Sequence, residues 1–235
     1  MIDETALRGR LEAIRDRVAA AALRVGRAPA EVRIVAVSKT FEAAYVRAAA
    51  RAGQVDFGEN KVQEALQKME ETSDLQIRWH LVGHLQSNKA RKAGAYFDFI
   101  HSIDSAALVG RLDEAAQAAG RHIELLVQVD LAGESTKHGA REDDLVAIFE
   151  AGRSCRAVRI AGLMLLPPAT DDPEDARPYF RTLCELRERL LAGGIDASLL
   201  KELSMGMSSD FDIAVEEGST LVRVGTAIFG ARTYL

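Results

Sequence analysis

Leu7, Leu11, Ile14, Val18 and Ala22 recur every three or four residues with charged side chains between them, so the chain opens on an amphipathic helix that ends near Gly26. Beyond it the pattern changes to short runs that are apolar or β-branched throughout. These runs are Val32–Val37, Val55–Phe57, Trp79–Val82, Phe97–Ile103, Ile123–Val129, Arg159–Leu165, Leu199–Ser204 and Leu221–Val224, which predict eight strands. Helix-like stretches separate them, among them Glu59–Glu71, Ser105–Ala119, Glu142–Ala151 and Pro173–Ala192. The last is opened by Asp172 and Pro173 and closed by Gly193 and Gly194. Strands that are apolar on both faces belong to a parallel sheet covered by helices, and eight strand–helix repeats predict an α/β fold. The expected architecture is a single (β/α)8 TIM-type barrel with an extra N-terminal helix. No Pro/Ser-rich linker divides the chain, and Pro167-Pro168 reads as a loop after the sixth strand, so residues 1–235 are expected to form one domain.

Composition narrows the class. With 48% hydrophobic residues spread over 235 positions, the chain can bury a large core without disulfides or metal. Its two cysteines, Cys155 and Cys184, lack CxxC spacing, and the N-terminus carries no apolar signal segment, which sets cytoplasmic residence as the expectation. A net charge of −5 and the absence of a membrane-length apolar run argue against a nucleic-acid or membrane partner.

A barrel of this kind carries its chemistry where strands end and βα loops begin. The polar residues gather there. Ser38-Lys39-Thr40 follows the first run; Gly58-Glu59-Asn60-Lys61 the second; Gly83-His84, Gln86, Ser87, Asn88 and Lys89 the third. The fourth ends in His101-Ser102, the fifth in Asp130 and then Gly133–Gly139, and the sixth in Met164. Ser204-Met205-Gly206-Met207-Ser208-Ser209 follows the seventh and Gly225-Thr226 the eighth, both rich in small residues, hydroxyls and backbone N–H groups of the kind that bind phosphate in this fold. Lys39, directly after a buried strand, suits two roles. Partial desolvation would free its amine for Schiff-base chemistry with an aldehyde cofactor, or it forms a salt bridge at the rim.

Several motifs occur together and in order: Ala36-Val37-Ser38-Lys39-Thr40, Phe57-Gly58-Glu59-Asn60, the stretch from His80 to Lys89, Val129-Asp130, Gly133-Glu134-Ser135-Thr136-Lys137-His138-Gly139, Gly162-Leu163-Met164, Ser204-Met205-Gly206-Met207-Ser208 and the segment from Val222 to Arg232. Over essentially its whole length the chain resembles the pyridoxal phosphate homeostasis protein family. That resemblance implies a barrel like the N-terminal domain of alanine racemase and pyridoxal 5′-phosphate as the cofactor. It matches Lys39 to the lysine that forms the Schiff base, and Arg223 to the arginine facing the pyridine nitrogen. Ser204, Gly225 and Thr226 match the phosphate cradle, and Asn60 and His84 match motif positions near the ring.

An arginine opposite the pyridine nitrogen keeps that nitrogen unprotonated and weakens the ring as an electron sink. Alanine racemase-like enzymes also recruit a second acid/base through an additional β domain and a dimer partner; here Tyr234 is the only late residue with a phenol. The expectation is therefore a carrier active in vitamin B6 homeostasis, with no catalytic residues, that passes the cofactor to apoenzymes and works as a monomer. The alternative is a pyridoxal phosphate-dependent amino-acid racemase or lyase, and a weak racemase-like side activity fits either reading. His80 and His84 have the spacing of a helical metal pair, but on a strand that spacing separates them by roughly 13 Å, so His80 reads as a core histidine and no metal is expected. Lys89, Arg91 and Lys92 read as a solvated helix face.

Overall fold

The computed structural model describes residues 2–131 and 138–230. The motif residues Gly133 to Lys137, and Ala231, Arg232 and Tyr234 at the chain end, lie outside them. Helix α1 (Glu4–Arg24) begins at Asp3, whose carboxylate accepts from the Ala6 N–H, and buries Leu7, Leu11, Ile14, Val18, Ala21 and Ala22. Eight strands follow: β1 (Arg33–Val37), β2 (Asp56–Glu59), β3 (Arg78–Leu81), β4 (Phe99–Ile103), β5 (Ile123–Gln128), β6 (Val158–Met164), β7 (Glu202–Ser204) and β8 (Leu221–Val224). All pair in parallel with their sequence neighbours, and β8 closes on β1 in the register Arg33↔Leu221 to Ala36↔Val224. The closed eight-stranded α/β barrel and its N-terminal helix are those expected from the apolar pattern.

The connecting helices are α2 (Ala43–Arg51), α3 (Val62–Glu71), α4 (Ala90–Tyr96), α5 (Ala106–Ala118), α6 (Leu145–Arg153), α7 (Arg177–Ala192), α8 (Phe211–Glu216) and α9 (Thr226–Phe229). They cover the outward strand face, so Ala36, Phe57, Trp79 and Leu81 join the large core between sheet and helices. The inward face forms a separate apolar cluster of Val35, Val37, Val82, Leu126, Ala161, Met164 and Leu221. That two-residue alternation is the strand period, and it explains why the runs read as apolar on both sides. At the strand starts the lumen turns charged: Arg33 pairs with Glu202 at 2.7 Å, Arg78 with Asp56 at 2.7 Å, and Arg159 with Glu124.

Three strand boundaries differ from the pattern by two residues or more, and the other strand ends agree within one. The second strand begins at Asp56 and includes Gly58 and Glu59, while Val55 is exposed; a buried carboxylate at each end of a four-residue strand hides it from an apolar search. Phe97 closes α4, its N–H bonded to the Ala93 carbonyl, and is not the start of β4. Leu199 lies in a 3-10 turn whose Ser198 N–H is capped by Asp196, so β7 shortens to three residues. Among the described residues no helix is long and apolar enough to cross a membrane.

Candidate functional site

A cavity of about 710 Å³ opens at the ends of the strands. Each wall comes from a different βα connection: Val37, Lys39 and Phe41 after β1; Asn60 after β2; Val82, Gly83 and His84 after β3; Gln128, Val129, Asp130 and His138 around the end of β5; Leu166 after β6; Met207, Ser208 and Ser209 after β7; and Arg223, Gly225 and Thr226 from β8. Lys39, Asn60, His84, Arg223, Gly225 and Thr226 are thus brought together from distant parts of the sequence.

Lys39 is set by its neighbours. Thr40 adopts a left-handed backbone, φ 70°, which for a β-branched residue is strained and turns the chain sharply after β1. Its N–H donates to Glu64 Oε1 at 2.5 Å, and on the other side of Lys39 the Ser38 carbonyl accepts from Lys68 Nζ at 2.8 Å. Lys68 reaches this position from α3 and also donates to Glu59 Oε1 at 2.7 Å, which the Ser38 hydroxyl shares at 2.6 Å. Burial pushes the Glu59 carboxyl above its ordinary range against the pull of the Lys68 ammonium. Its second oxygen is buried without a hydrogen-bond partner among the described residues. The backbone on both sides of Lys39 is therefore pinned by a buried ionic cluster.

The β3 connection is fixed by contact, not charge. A Cβ on Gly83 would lie 2.3 Å from the Asn60 carbonyl oxygen, so the loops after β2 and β3 touch there and only glycine lets Asn60 reach the cavity. His84 and His138 stack at the rim with ring centroids 3.5 Å apart and planes 11° apart. Partial burial and the neighbouring His138 keep the His84 imidazole below its ordinary pKa.

On the opposite wall the β7 connection turns at Gly206, φ 91°, where a Cβ would meet the Ala214 Cβ at 2.5 Å. The Gly206 carbonyl accepts from the Arg223 N–H at 3.0 Å. Past this turn Ser208 Oγ accepts from the Gly225 N–H at 3.2 Å, joining the two loops that line that side of the cavity. Arg223 is 4% exposed, and its guanidinium donates to Ser204 Oγ at 2.6 Å and to the Leu165 carbonyl at 2.8 Å. Burial lowers its pKa to about 10, opposed by the Asp210 carboxylate, so it remains a cation at neutral pH.

Ser204 stands apart from the other candidates. It is fully buried, does not line the cavity, and its hydroxyl lies between Arg223 and His101, at 2.8 Å from His101 Nδ1. As the last residue of β7 it points into the lumen, whereas Ser208 and Ser209 lie beyond the Gly206 turn and face the cavity. The stretch Ser204 to Ser209 offers three hydroxyls, and strand parity was the signal that separates the first from the other two. Gln128, Asp130, His138 and Leu166 were not singled out as site residues; they enter the wall through the ends of β5 and β6. Among the described residues no group of three or more His, Cys, Asp or Glu side chains is arranged to hold a metal ion.

The arrangement combines a lysine amine, a fixed guanidinium, paired hydroxyl-bearing loops and apolar walls from Val37, Val82 and Leu166. Such a site suits an aromatic, anionic aldehyde. Residues 9–233 match the family described as alanine racemase, N-terminal domain. The pyridoxal phosphate homeostasis protein of Pseudomonas aeruginosa is 43% identical over 218 residues, covering 93% of this chain and 92% of that protein. That of Aquifex aeolicus is 39% identical over 225 residues, covering 96% and 98%. The structure of PipY from Synechococcus elongatus with pyridoxal phosphate bound superposes with a TM-score of 0.81 at 44% identity, covering 92% of this chain and 100% of that one. Alanine racemase of Clostridium difficile shares the fold alone, at 13% identity and a TM-score of 0.69.

Proposed function

The chain belongs to the alanine racemase N-terminal domain family, among its pyridoxal phosphate homeostasis proteins, and from that premise we propose that it holds pyridoxal 5′-phosphate as a Schiff base on Lys39 and serves intracellular vitamin B6 homeostasis as a carrier. The observation that carries this reading is the convergence of Lys39, Arg223 and the Ser208–Ser209 and Gly225–Thr226 loops on one cavity. Its volume of about 710 Å³ is within the range of cofactor sites. Among the described residues the cavity wall carries two basic side chains, Lys39 and Arg223, against one carboxylate, Asp130, a balance that favours a phosphorylated ligand.

When bound, pyridoxal phosphate supplies an aldehyde that condenses with a primary amine. Lys39 would provide that amine, held in place by the pinned Ser38 and Thr40. Ser208, Ser209, Gly225 and Thr226 would hold the phosphate, a role that passes from Ser204 to Ser208 because Ser204 lies behind the cavity. Asn60 and His84 would flank the ring. Arg223 would face the pyridine nitrogen as a permanent cation and leave it without a proton, which disfavours carbanion chemistry and suits storage over turnover. The protein would act as a cytoplasmic monomer, as one unit over residues 1–235, and deliver its cargo to apoenzymes.

The test loads the purified protein with pyridoxal phosphate, passes it over a desalting column, and offers it to a pyridoxal phosphate-dependent apoenzyme and, separately, to amino acids in deuterated water. We expect the cofactor to stay bound on the column, apoenzyme to speed its departure beyond free release, and no amino acid to exchange its α-hydrogen at an enzymatic rate. Rapid exchange with one amino acid would replace the carrier by a racemase or lyase.

A further inference from the structure

Asp56, His80, His101, Ser204 and Arg223 come from five strands, and all five are buried inside the barrel, the two histidines and the serine completely. They form one unbroken chain of hydrogen bonds. Arg223 Nη1 lies 2.6 Å from Ser204 Oγ, Ser204 Oγ 2.8 Å from His101 Nδ1, His101 Nε2 2.9 Å from His80 Nδ1, and His80 Nε2 2.8 Å from Asp56 Oδ1. The far end is tied to Arg78, which pairs with Asp56 Oδ2 at 2.7 Å, and the His80 ring is stacked on Phe99 at 4.3 Å with the planes 2° apart. Arg33 stands near the floor, its guanidinium over the same Phe99 ring.

The chemistry of the two ends fixes every proton between them. A guanidinium only donates, so Ser204 Oγ accepts from Arg223 and must send its own hydrogen to His101 Nδ1. That nitrogen therefore carries no proton, and His101 donates from Nε2 to His80 Nδ1. His80 then donates from Nε2 to the Asp56 carboxylate, which only accepts. The reversed order fails twice: the Ser204 hydrogen would have no acceptor, and a bare His80 nitrogen would face a carboxylate oxygen. Both unsatisfied contacts would be buried, where each is costly. Burial also holds both imidazoles below their ordinary pKa, His101 well below, in keeping with two neutral rings.

We propose that this chain is a positioning device for the cofactor-ring end of the site: His80, His101 and Ser204, anchored on Asp56, clamp the Arg223 guanidinium in one rotamer and one donor pattern facing the cavity. The Leu165 carbonyl supplies the second clamp point, at 2.8 Å from Nη2. None of the three touches the cavity, so each acts only through Arg223. The ligand end of this inference rests on the cofactor reading above; the clamp itself does not.

The decisive experiment is nitrogen-15 NMR of the unliganded protein, with the His80 and His101 rings and the Arg223 side chain assigned through single variants. Both rings are expected to be neutral with the proton on Nε2 between pH 6 and 8, and the Arg223 guanidinium protons are expected to exchange slowly. In Ser204→Ala that exchange should speed up at least tenfold. A proton on Nδ1 of either ring, an imidazolium, or unchanged Arg223 exchange in Ser204→Ala overturns the proposal. The same variants are then loaded with pyridoxal phosphate. Ser204→Ala and His101→Phe should shift the visible band of the bound cofactor and weaken its retention about tenfold, while His101→Gln, which keeps one acceptor and one donor, restores both. A wild type that takes up no cofactor defeats the cofactor reading alone, because the ring tautomers and guanidinium exchange are read without it. Unchanged spectrum and retention in folded Ser204→Ala and His101→Phe would defeat the clamp and leave the cofactor reading standing.

Discussion

Two buried polar clusters support neighbouring parts of the same cavity, since Lys39 follows β1 and Arg223 lies on the adjoining β8, yet they are built on opposite principles. Beside Lys39, the Ser38–Glu59–Lys68–Glu64 cluster is ionic, and it leaves one Glu59 oxygen in the interior unpaired among the described residues. Behind Arg223, the Asp56–His80–His101–Ser204 chain has neutral rings at its middle and uses every ring nitrogen. A buried charge pair depends on both partners being present, because either one alone is a stranded ion. A neutral chain depends instead on direction, since each group must donate on one side and accept on the other. The ionic cluster is therefore expected to be the more fragile to single substitutions, and the neutral chain the more sensitive to acid.

The largest effect is expected for Lys68→Met, which strands Glu59 and frees the Ser38 carbonyl. Breaking a buried pair in this way costs about 3–5 kcal/mol, measurable by urea unfolding. The double variant Glu59→Leu, Lys68→Met should recover most of the loss, because no buried ion remains. If the single and double variants were equally unstable, packing and not charge would dominate there.

Acid comes next. His80 and His101 have folded pKa values below the unfolded value of about 6.5, so the unfolded chain takes up protons first as the pH falls. Their contribution is complete above that pH and is lost progressively below it, with a slope of up to about 2.7 kcal/mol per pH unit for two rings. Unfolding free energies between pH 7 and pH 5 check this, and His101→Gln should halve the slope. A flat profile would contradict the neutral middle of the chain.

Asp113 supplies an intermediate case, a charge satisfied without a counter-ion. Its Oδ1 accepts from the N–H groups of Arg156, Ala157 and Val158 at 2.9, 2.7 and 3.1 Å, and Gln117 donates to Oδ2. Burial opposes ionisation, but these donors outweigh it and hold the carboxyl below its usual range. Asp113→Ala is expected to cost about 1–3 kcal/mol, and Asp113→Asn less, because the amide oxygen still accepts. The smallest effect belongs to the exposed Arg51–Glu4 pair, whose loss in Arg51→Ala should leave the urea midpoint in place.

The sequence carried the barrel further than it carried the site. Apolar runs located all eight strands because both faces of a barrel strand are buried, and strand boundaries moved by more than one residue where a short strand holds charge, as at Glu59, where a helix end is apolar, as at Phe97, and where a turn is apolar, as at Leu199. Lys39 was legible from its place directly after β1. Asn60 and His84 rested on the family resemblance and do line the cavity. The family resemblance placed Ser204 in the cradle as well, but at the end of β7 its hydroxyl lies between Arg223 and His101 and does not line the cavity. The clamp behind Arg223 was invisible, since His80 and His101 stand 21 residues apart and His101 and Ser204 103 apart, and only closure of the barrel puts them on one axis. His80 could be read as a satisfied core histidine, but nothing local names its partner.

Whether Lys39 carries pyridoxal phosphate is decided by the visible spectrum of the loaded protein, followed by borohydride reduction and peptide mass analysis. The expected result is a yellow Schiff-base band that is absent from Lys39→Ala, with the reduced adduct on the peptide containing Lys39. A protein that stays colourless with added pyridoxal phosphate, or an adduct confined to another lysine, would contradict it.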